Sequence, residues 1–245
     1  MIRSLSAAVM LLAAGLAPAA AACRDEAYGG VPYTICEVEA GQDLRLFLTA
    51  PDGQPFGSFA RIEADLAGRG ERLVFAMNAG MYHADRRPVG LFVQDGRQVA
   101  PLVTRAGPGN FGMLPNGVFC IRPRGFAVIE SRAFAARGPE CTDASQSGPM
   151  LVIDGALHPR FLPEATSTHI RNGVGVSRDG RRAVFAISNR PVTFHQFARL
   201  FRDHLGLPQA LYFDGSISRL HAPELGRSDW GRPMGPIVGL VAPGS

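Results

Sequence analysis

Near the C-terminal end of the chain, residues 210–218 (ALYFDGSIS) run from four apolar or aromatic positions into Asp214, Gly215, Ser216 and Ser218. The apolar positions read as a buried strand. Its polar continuation sets a carboxylate, a permissive backbone and two hydroxyls at one spot. Five further clusters of amides and hydroxyls, punctuated by glycine, stand beside apolar runs: Asn78-Ala79-Gly80-Met81-Tyr82, Gly109-Asn110-Phe111, Pro115-Asn116-Gly117, Gln146-Ser147-Gly148-Pro149 and His169-Ile170-Arg171-Asn172-Gly173. Each alone is ordinary turn chemistry. Together, with Arg171 among them, they suit a hydroxyl-rich anionic ligand such as a sugar phosphate. Amides bond sugar hydroxyls, and a guanidinium matches a phosphate through parallel N–H donors.

Other chemistries find no support. The chain has no H-E-x-x-H, no P-loop and no dinucleotide G-x-G-x-x-G. Ala144-Ser145-Gln146-Ser147-Gly148 carries alanine where a serine nucleophile elbow needs its first glycine. All 25 basic residues are arginine, and the absence of lysine excludes Schiff-base chemistry. The arginines are scattered, which gives no basic stripe for nucleic acid. No ligand set demands a metal or other cofactor, although a divalent cation beside Asp214 is compatible with the sequence.

The elements that must position these clusters are predominantly strands. Asp95-Gly96, Asp154-Gly155 and Asp179-Gly180 each separate apolar runs, the signature of a tight hairpin, so three antiparallel hairpins are expected. A further hairpin is expected around Gly41-Gln42 within residues 31–50. Ser58 opens a short helix with Phe59, Ile62 and Leu66 on one face and Gly68 at its end. Thr193 and Gln196 form a capping box for a helix over about 194–205, stopped by Gly206 and Pro208. Each helix leads to a strand and a polar loop, one at Asn78 and the other at Asp214, so the two loops are expected on one edge. The fold class is α+β: a single domain with a largely antiparallel or mixed β-sheet and a few packed helices.

Arg3, an apolar run over residues 7–16 and small residues up to Cys23 form a secretory leader over residues 1–22, leaving 23–245 as the domain. No later stretch approaches the ~20 apolar residues of a membrane span. The expected location is therefore periplasmic or secreted, with a lipoprotein anchored at Cys23 as the alternative. Four cysteines remain, Cys23, Cys36, Cys120 and Cys141. Disulfides suit an exported chain, and of three connectivities the pairs close in sequence, Cys23 with Cys36 and Cys120 with Cys141, are the simplest.

The ordered set Asn78-Ala79-Gly80-Met81-Tyr82, Gly148-Pro149-Met150-Leu151-Val152, Arg171-Asn172-Gly173-Val174-Gly175 and Asp214-Gly215-Ser216-Ile217-Ser218 resembles the phosphodiester glycosidase domain family across about residues 70–240. It is most similar to a bacterial exported branch of that family. Two departures are a single glycine after Asp214, where many members have two or three, and Tyr82 in place of a common phenylalanine. The resemblance implies hydrolysis of a sugar–phosphate bond at the anomeric carbon of a small-molecule or glycan phosphodiester. Asp214 is then the base or nucleophile, because no turn needs it there, and Asp85 the second carboxylate. Arg171 takes the phosphate, while Asn78, Gly80, Tyr82, Gln146, Ser147, Asn172, Ser216 and Ser218 line the substrate. Two other readings stand beside it: a metal-assisted phosphodiesterase cutting P–O, and a non-catalytic envelope glycan-binding module.

Overall fold

In the computed structural model, residues 22–214 and 216–244 are described; the expected leader lies outside them except for Ala22. Every strand pairing among them is antiparallel, in three sheets. The first sheet runs Cys23–Tyr28, Val31–Glu39, Arg182–Ser188, Asn172–Val176, Gln209–Asp214, Met150–Ile153, Ala156–Leu157. The second runs Arg227–Ser228, Leu220–Ala222, Glu71–Asn78, Ile237–Pro243, Leu44–Phe47. The third runs Arg97–Ala100, Phe92–Gln94, Asp143–Ser147, Gly117–Arg122, Gly125–Glu130. The fold is thus mostly β, with α1 (Phe59–Ala67), α2 (Ser131–Arg137) and α3 (Phe194–Arg199) as short additions.

Period-two alternation gives each sheet an inner and an outer face. The inner faces meet in one core, where Phe185 and Phe213 of the first sheet, Phe75 of the second and Phe119 of the third pack with ring centroids 5.5–6.5 Å apart. Each such ring, fully buried, contributes about 1.5–3 kcal/mol. One helix covers each outer face: α3 seals Tyr33, Ile35, Val184 and Tyr212, α1 seals Leu73 and Ala76, and α2 seals Val118, Cys120 and Ala144. Alternation along Gln209–Asp214 accordingly puts Leu211 and Phe213 in the core and Ala210 and Tyr212 under α3.

The local signals fold as their chemistry requires. Asp95-Gly96 and Asp154-Gly155 adopt positive φ at both positions (51° and 72°, 48° and 83°), the conformation of a two-residue hairpin turn. Asp179-Gly180 closes the hairpin between Asn172–Val176 and Arg182–Ser188. Ser58 caps α1, and Thr193 and Gln196 form both bonds of the capping box on α3. The expected 194–205 helix changes character midway, since Leu200–His204 continues α3 as a π-turn.

The hairpin expected around Gly41-Gln42 is not present. Val31–Glu39 pairs instead with Cys23–Tyr28 and Arg182–Ser188, while Leu44–Phe47 crosses into the second sheet. Val38, Leu44 and Leu46 all face the shared core, so a passage between sheets buries the same side chains that a hairpin would.

Both disulfides join the pairs nearest in sequence, Cys23–Cys36 and Cys120–Cys141. They fit an oxidising, extracytoplasmic compartment. No helix among the described residues is long and apolar enough to cross a membrane.

Candidate functional site

The ends of two central strands from different sheets meet through a pair of asparagines. Asn78 ends Glu71–Asn78 in the second sheet; Asn172 opens Asn172–Val176 in the first and stands opposite Asp214 in register. Asn78 Nδ2 donates to Asn172 Oδ1 at 3.1 Å, and Asn172 Nδ2 donates to the Asn78 carbonyl at 2.8 Å. Asn78 Oδ1 accepts from the Arg219 amide at 2.9 Å. Both side chains are fully buried, where unpaired amides are costly, so the exchange fixes how the two strand ends sit together. The loops after Asn78 and after Asp214 therefore converge, but from two different sheets rather than along one edge of a single sheet.

Around this pair lie the groups with chemistry to offer. Asp214 is half-buried; its Oδ1 accepts from the Ser216 amide at 2.8 Å, an Asx turn that holds the carboxylate in one orientation. The Ser218 hydroxyl lies 2.7 Å from the Asp214 carbonyl, 3.0 Å from that of Ile170 and 3.2 Å from Asn172 Oδ1, tying the loop to the asparagine pair. Ser216 is exposed. The Tyr82 hydroxyl is buried without a hydrogen-bond partner among the described residues. Burial pushes its pKa up, the Asp214 charge adds to the shift, and Arg86 and Arg219 oppose it. The Arg86 guanidinium carbon lies 5.7 Å from the Tyr82 ring centroid.

Two close approaches seat this region. A Cβ at Gly80 would lie 2.3 Å from the Gln146 carbonyl oxygen, so only glycine lets that loop rest on the third sheet, where its amide donates to Ser145 Oγ at 3.1 Å. A Cβ at Gly235 would lie 2.4 Å from Tyr82 Cγ, so the glycine gives the phenol ring its room.

Arg219 is the residue that sequence reasoning missed. Its Nη1 donates to the Arg232 carbonyl at 2.6 Å. Its place directly after Ser218 was the one available signal, and 25 arginines diluted it.

Asn78 and Asn172, expected to line the substrate, are fully buried and spend their amides on each other and on the Arg219 amide. Four more expected site residues also sit differently from the roles assigned to them. Gln146 Oε1 accepts from the Leu91 and Val103 amides, and its Nε2 donates to the Val103 carbonyl and Ser131 Oγ, so its amide is used up inside the fold. Ser147 Oγ donates to the Phe213 carbonyl at 2.8 Å, bracing the third sheet against the first. Arg171 is 2 % exposed: Nε donates to the Val192 carbonyl, Nη1 to Tyr212 Oη and Nη2 to the Ser167 carbonyl, with the Phe194 ring 3.7 Å from the guanidinium carbon. It stands behind Asp214, linked through Tyr212, without opening to solvent. Asp85 is exposed at the tip of the turn after Tyr82, and its carboxylate is held by the Arg87 side chain at 2.6 Å and the Arg87 amide at 3.1 Å. That partner holds its pKa below the usual carboxylate range.

Two clefts, of about 720 and 530 Å³, lie elsewhere. The smaller is lined by Gln209, at the opposite end of the strand that Asp214 terminates. Convergent polar groups mark the Asp214 region. No group of three or more His, Cys, Asp or Glu able to hold a metal occurs among the described residues.

Comparison with known proteins bears on the fold and the family. The catalytic domain of zebrafish N-acetylglucosamine-1-phosphodiester alpha-N-acetylglucosaminidase, in a form auto-inhibited by its pro-peptide, has the same fold: TM-score 0.61 over 89% of this chain and 81% of that one, at 15% identity. A protein of Escherichia coli (strain K12), "Uncharacterized protein YigE", is 34% identical over 178 residues, 73% of this chain and 69% of its own length. The profile of the phosphodiester glycosidase family matches residues 71–225, a span that contains each motif on which the resemblance rested together with Tyr82, Arg219 and the asparagine pair. The chain belongs to the phosphodiester glycosidase family of hydrolases.

Proposed function

We propose that the chain hydrolyses the anomeric C–O bond of a sugar-1-phosphodiester, releasing a free sugar and a phosphomonoester. The observation that carries this reading is the grouping of the Asp214 carboxylate, the unpartnered Tyr82 hydroxyl and the Arg219 guanidinium around one buried asparagine pair. Water attacks the anomeric carbon and yields its proton to Asp214, while the bond to the phosphate oxygen breaks and its electron pair leaves with the phosphomonoester. A phosphate departs far more readily than a sugar alkoxide, so charge stabilisation matters more than protonation of the leaving group. Arg219, partly exposed directly after the Asp214 loop, takes the phosphate oxygens in place of the enclosed Arg171. The Tyr82 hydroxyl, orphaned inside the protein, gains a partner in a sugar hydroxyl or phosphate oxygen. Asp85, committed to Arg87 in its own turn, is not needed for this step.

Hydrolysis of a sugar-1-phosphodiester in oxygen-18 water tests the reading. Label is expected in the sugar; label in the phosphate would establish P–O cleavage and overturn it. Asp214→Asn is expected to melt like the parent and lose about 10²–10⁴-fold in turnover. Undiminished turnover would remove Asp214 from the mechanism.

A further inference from the structure

The cleft of about 530 Å³ at the far end of the Gln209–Asp214 strand holds chemistry that the Asp214 region does not use. At ~3.4 Å per residue, Gln209 stands about 17 Å along the strand from Asp214. Two turns from different sheets wall the cleft, one carrying Arg124 in the third sheet and one carrying Arg178 and Asp179 in the first. They touch backbone to backbone. The Phe126 amide donates to the Gly180 carbonyl at 2.7 Å, and a Cβ at Gly125 would lie 2.5 Å from that same oxygen. The contact fixes the two walls against each other.

Three guanidiniums line the cleft, those of Arg122, Arg124 and Arg178, against two carboxylates, those of Asp154 and Asp179, which leaves it net positive. Both carboxylates are engaged: Asp154 Oδ1 accepts from Gln209 Nε2 at 2.5 Å, and Asp179 Oδ1 from the Ser177 hydroxyl at 2.6 Å and the Arg181 amide at 3.0 Å. None of the three arginines forms a salt bridge among the described residues. Two atoms of the lining side chains are buried with no hydrogen-bond partner among the described residues: Arg122 Nε, a donor, and Gln209 Oε1, an acceptor. Unsatisfied buried polar atoms are costly and scarce, and here one of each kind belongs to a single cleft. We infer that this cleft is a second ligand site, built for a small sugar phosphate. A phosphate accepts from guanidiniums through parallel bonds, and a sugar hydroxyl is the donor that Gln209 Oε1 lacks. Both orphaned atoms are covered as the side chains stand, and each reaches a ligand by rotation about its own side-chain torsions. The volume falls within the ~300–1,000 Å³ of small-molecule sites.

Binding rather than turnover tests this site, so the outcome does not depend on the hydrolytic reading. Backbone amide NMR on the full chain separates the two regions: Gly125, Gly180 and Gln209 report on the cleft, Asn78 and Ser218 on the surroundings of Asp214. Glucose 6-phosphate is expected to shift the cleft amides saturably, with a dissociation constant of about 1 mM or below. Glucose and inorganic phosphate are each expected to bind there at least about tenfold more weakly. Arg122→Met removes the buried donor at similar length and should weaken glucose 6-phosphate by about tenfold, equivalent to about 1.4 kcal/mol. Arg124→Gln with Arg178→Gln, both at exposed turn positions, should melt like the parent and show a comparable loss, which keeps the test intact if Arg122→Met misfolds. Arg219→Ala should leave the cleft titration unaltered. Shifts confined to Asn78 and Ser218, absence of saturation, equal affinity for glucose 6-phosphate and inorganic phosphate, or undiminished affinity in the double variant would each overturn the inference.

Discussion

The exchange between Asn78 and Asn172 makes a sharp claim about how two sheets are held at the site. Asn172→Ala deletes one donor and one acceptor. It leaves Asn78 Nδ2 and the Asn78 carbonyl without their partners in a region sealed from solvent. Ser218 loses less, because its hydroxyl keeps the Asp214 and Ile170 carbonyls within reach. Each orphaned buried group costs about 1–3 kcal/mol, so the total is about 2–6 kcal/mol. Against a typical domain stability of about 5–15 kcal/mol this is a large loss. With a urea m-value of about 2 kcal/mol/M, the unfolding midpoint should fall by about 1–3 M. Asn172→Asp keeps the shape but replaces the donor to the Asn78 carbonyl with a carboxylate oxygen, and it should be destabilising to a similar degree at neutral pH. Turnover should fall in both variants even where they are fully folded, because Arg219 and Ser218 take their positions from this pair. A midpoint in Asn172→Ala within about 0.3 M of the parent would refute the claim that the pair joins the sheets.

Two further outcomes are expected from groups away from the site. Burial pushes the Asp143 carboxyl up to about 6, with Asp95 and Asp43 adding like charge and the Asp95 amide and Arg45 opposing. Its folded pKa lies above the unfolded one, so it disfavours folding increasingly as pH rises from about 4 to about 6 and by a constant amount above that, about 1–3 kcal/mol. Asp143→Asn should thus gain stability over the parent between pH 4 and 7 in paired thermal melts, and a difference independent of pH would refute the assignment. Cys120→Ser with Cys141→Ser opens a loop closed over 21 residues and should cost about 3 kcal/mol in unfolding free energy. A loss below about 1 kcal/mol would show that the bond contributes little.

What the sequence disclosed and what it concealed divide along a physical line. Signals carried by neighbouring residues were legible: Asp95-Gly96 and Asp154-Gly155 because left-handed backbone demands such residues, and Thr193 with Gln196 because a capping box is local. The disulfides were legible for the same reason of proximity. Pairing between distant segments was not. Residues 31–50 show apolar positions suited equally to a hairpin or to a passage between sheets, and nothing within them decides which. The edge strand Cys23–Tyr28, largely polar and exposed, gave no apolar pattern to find. In the site, residue type identified groups that need partners but could not say where those partners are. Gln146 and Ser147 carry the same donors and acceptors as Asn78 and Ser218, and all four spend them within the fold, on partners that lie far away in the sequence or that only the folded loop supplies. Arg171 and Arg219 are likewise indistinguishable as letters. The first is enclosed by Phe194 and Tyr212, the second turned toward the later Gly231–Arg232 segment.

That difference between the two arginines bears on how the region responds to ionic strength. Arg171 carries a full positive charge behind the strand that ends at Asp214, stabilised by aromatic faces and carbonyl dipoles rather than by a carboxylate. Mobile ions cannot enter its surroundings, so added salt leaves its field through the protein interior nearly unchanged. Arg219 is only partly covered, and salt weakens its pull on any approaching anion. One cation therefore sets a standing positive potential at the end of the sheet, and the other contributes a component that varies with the medium.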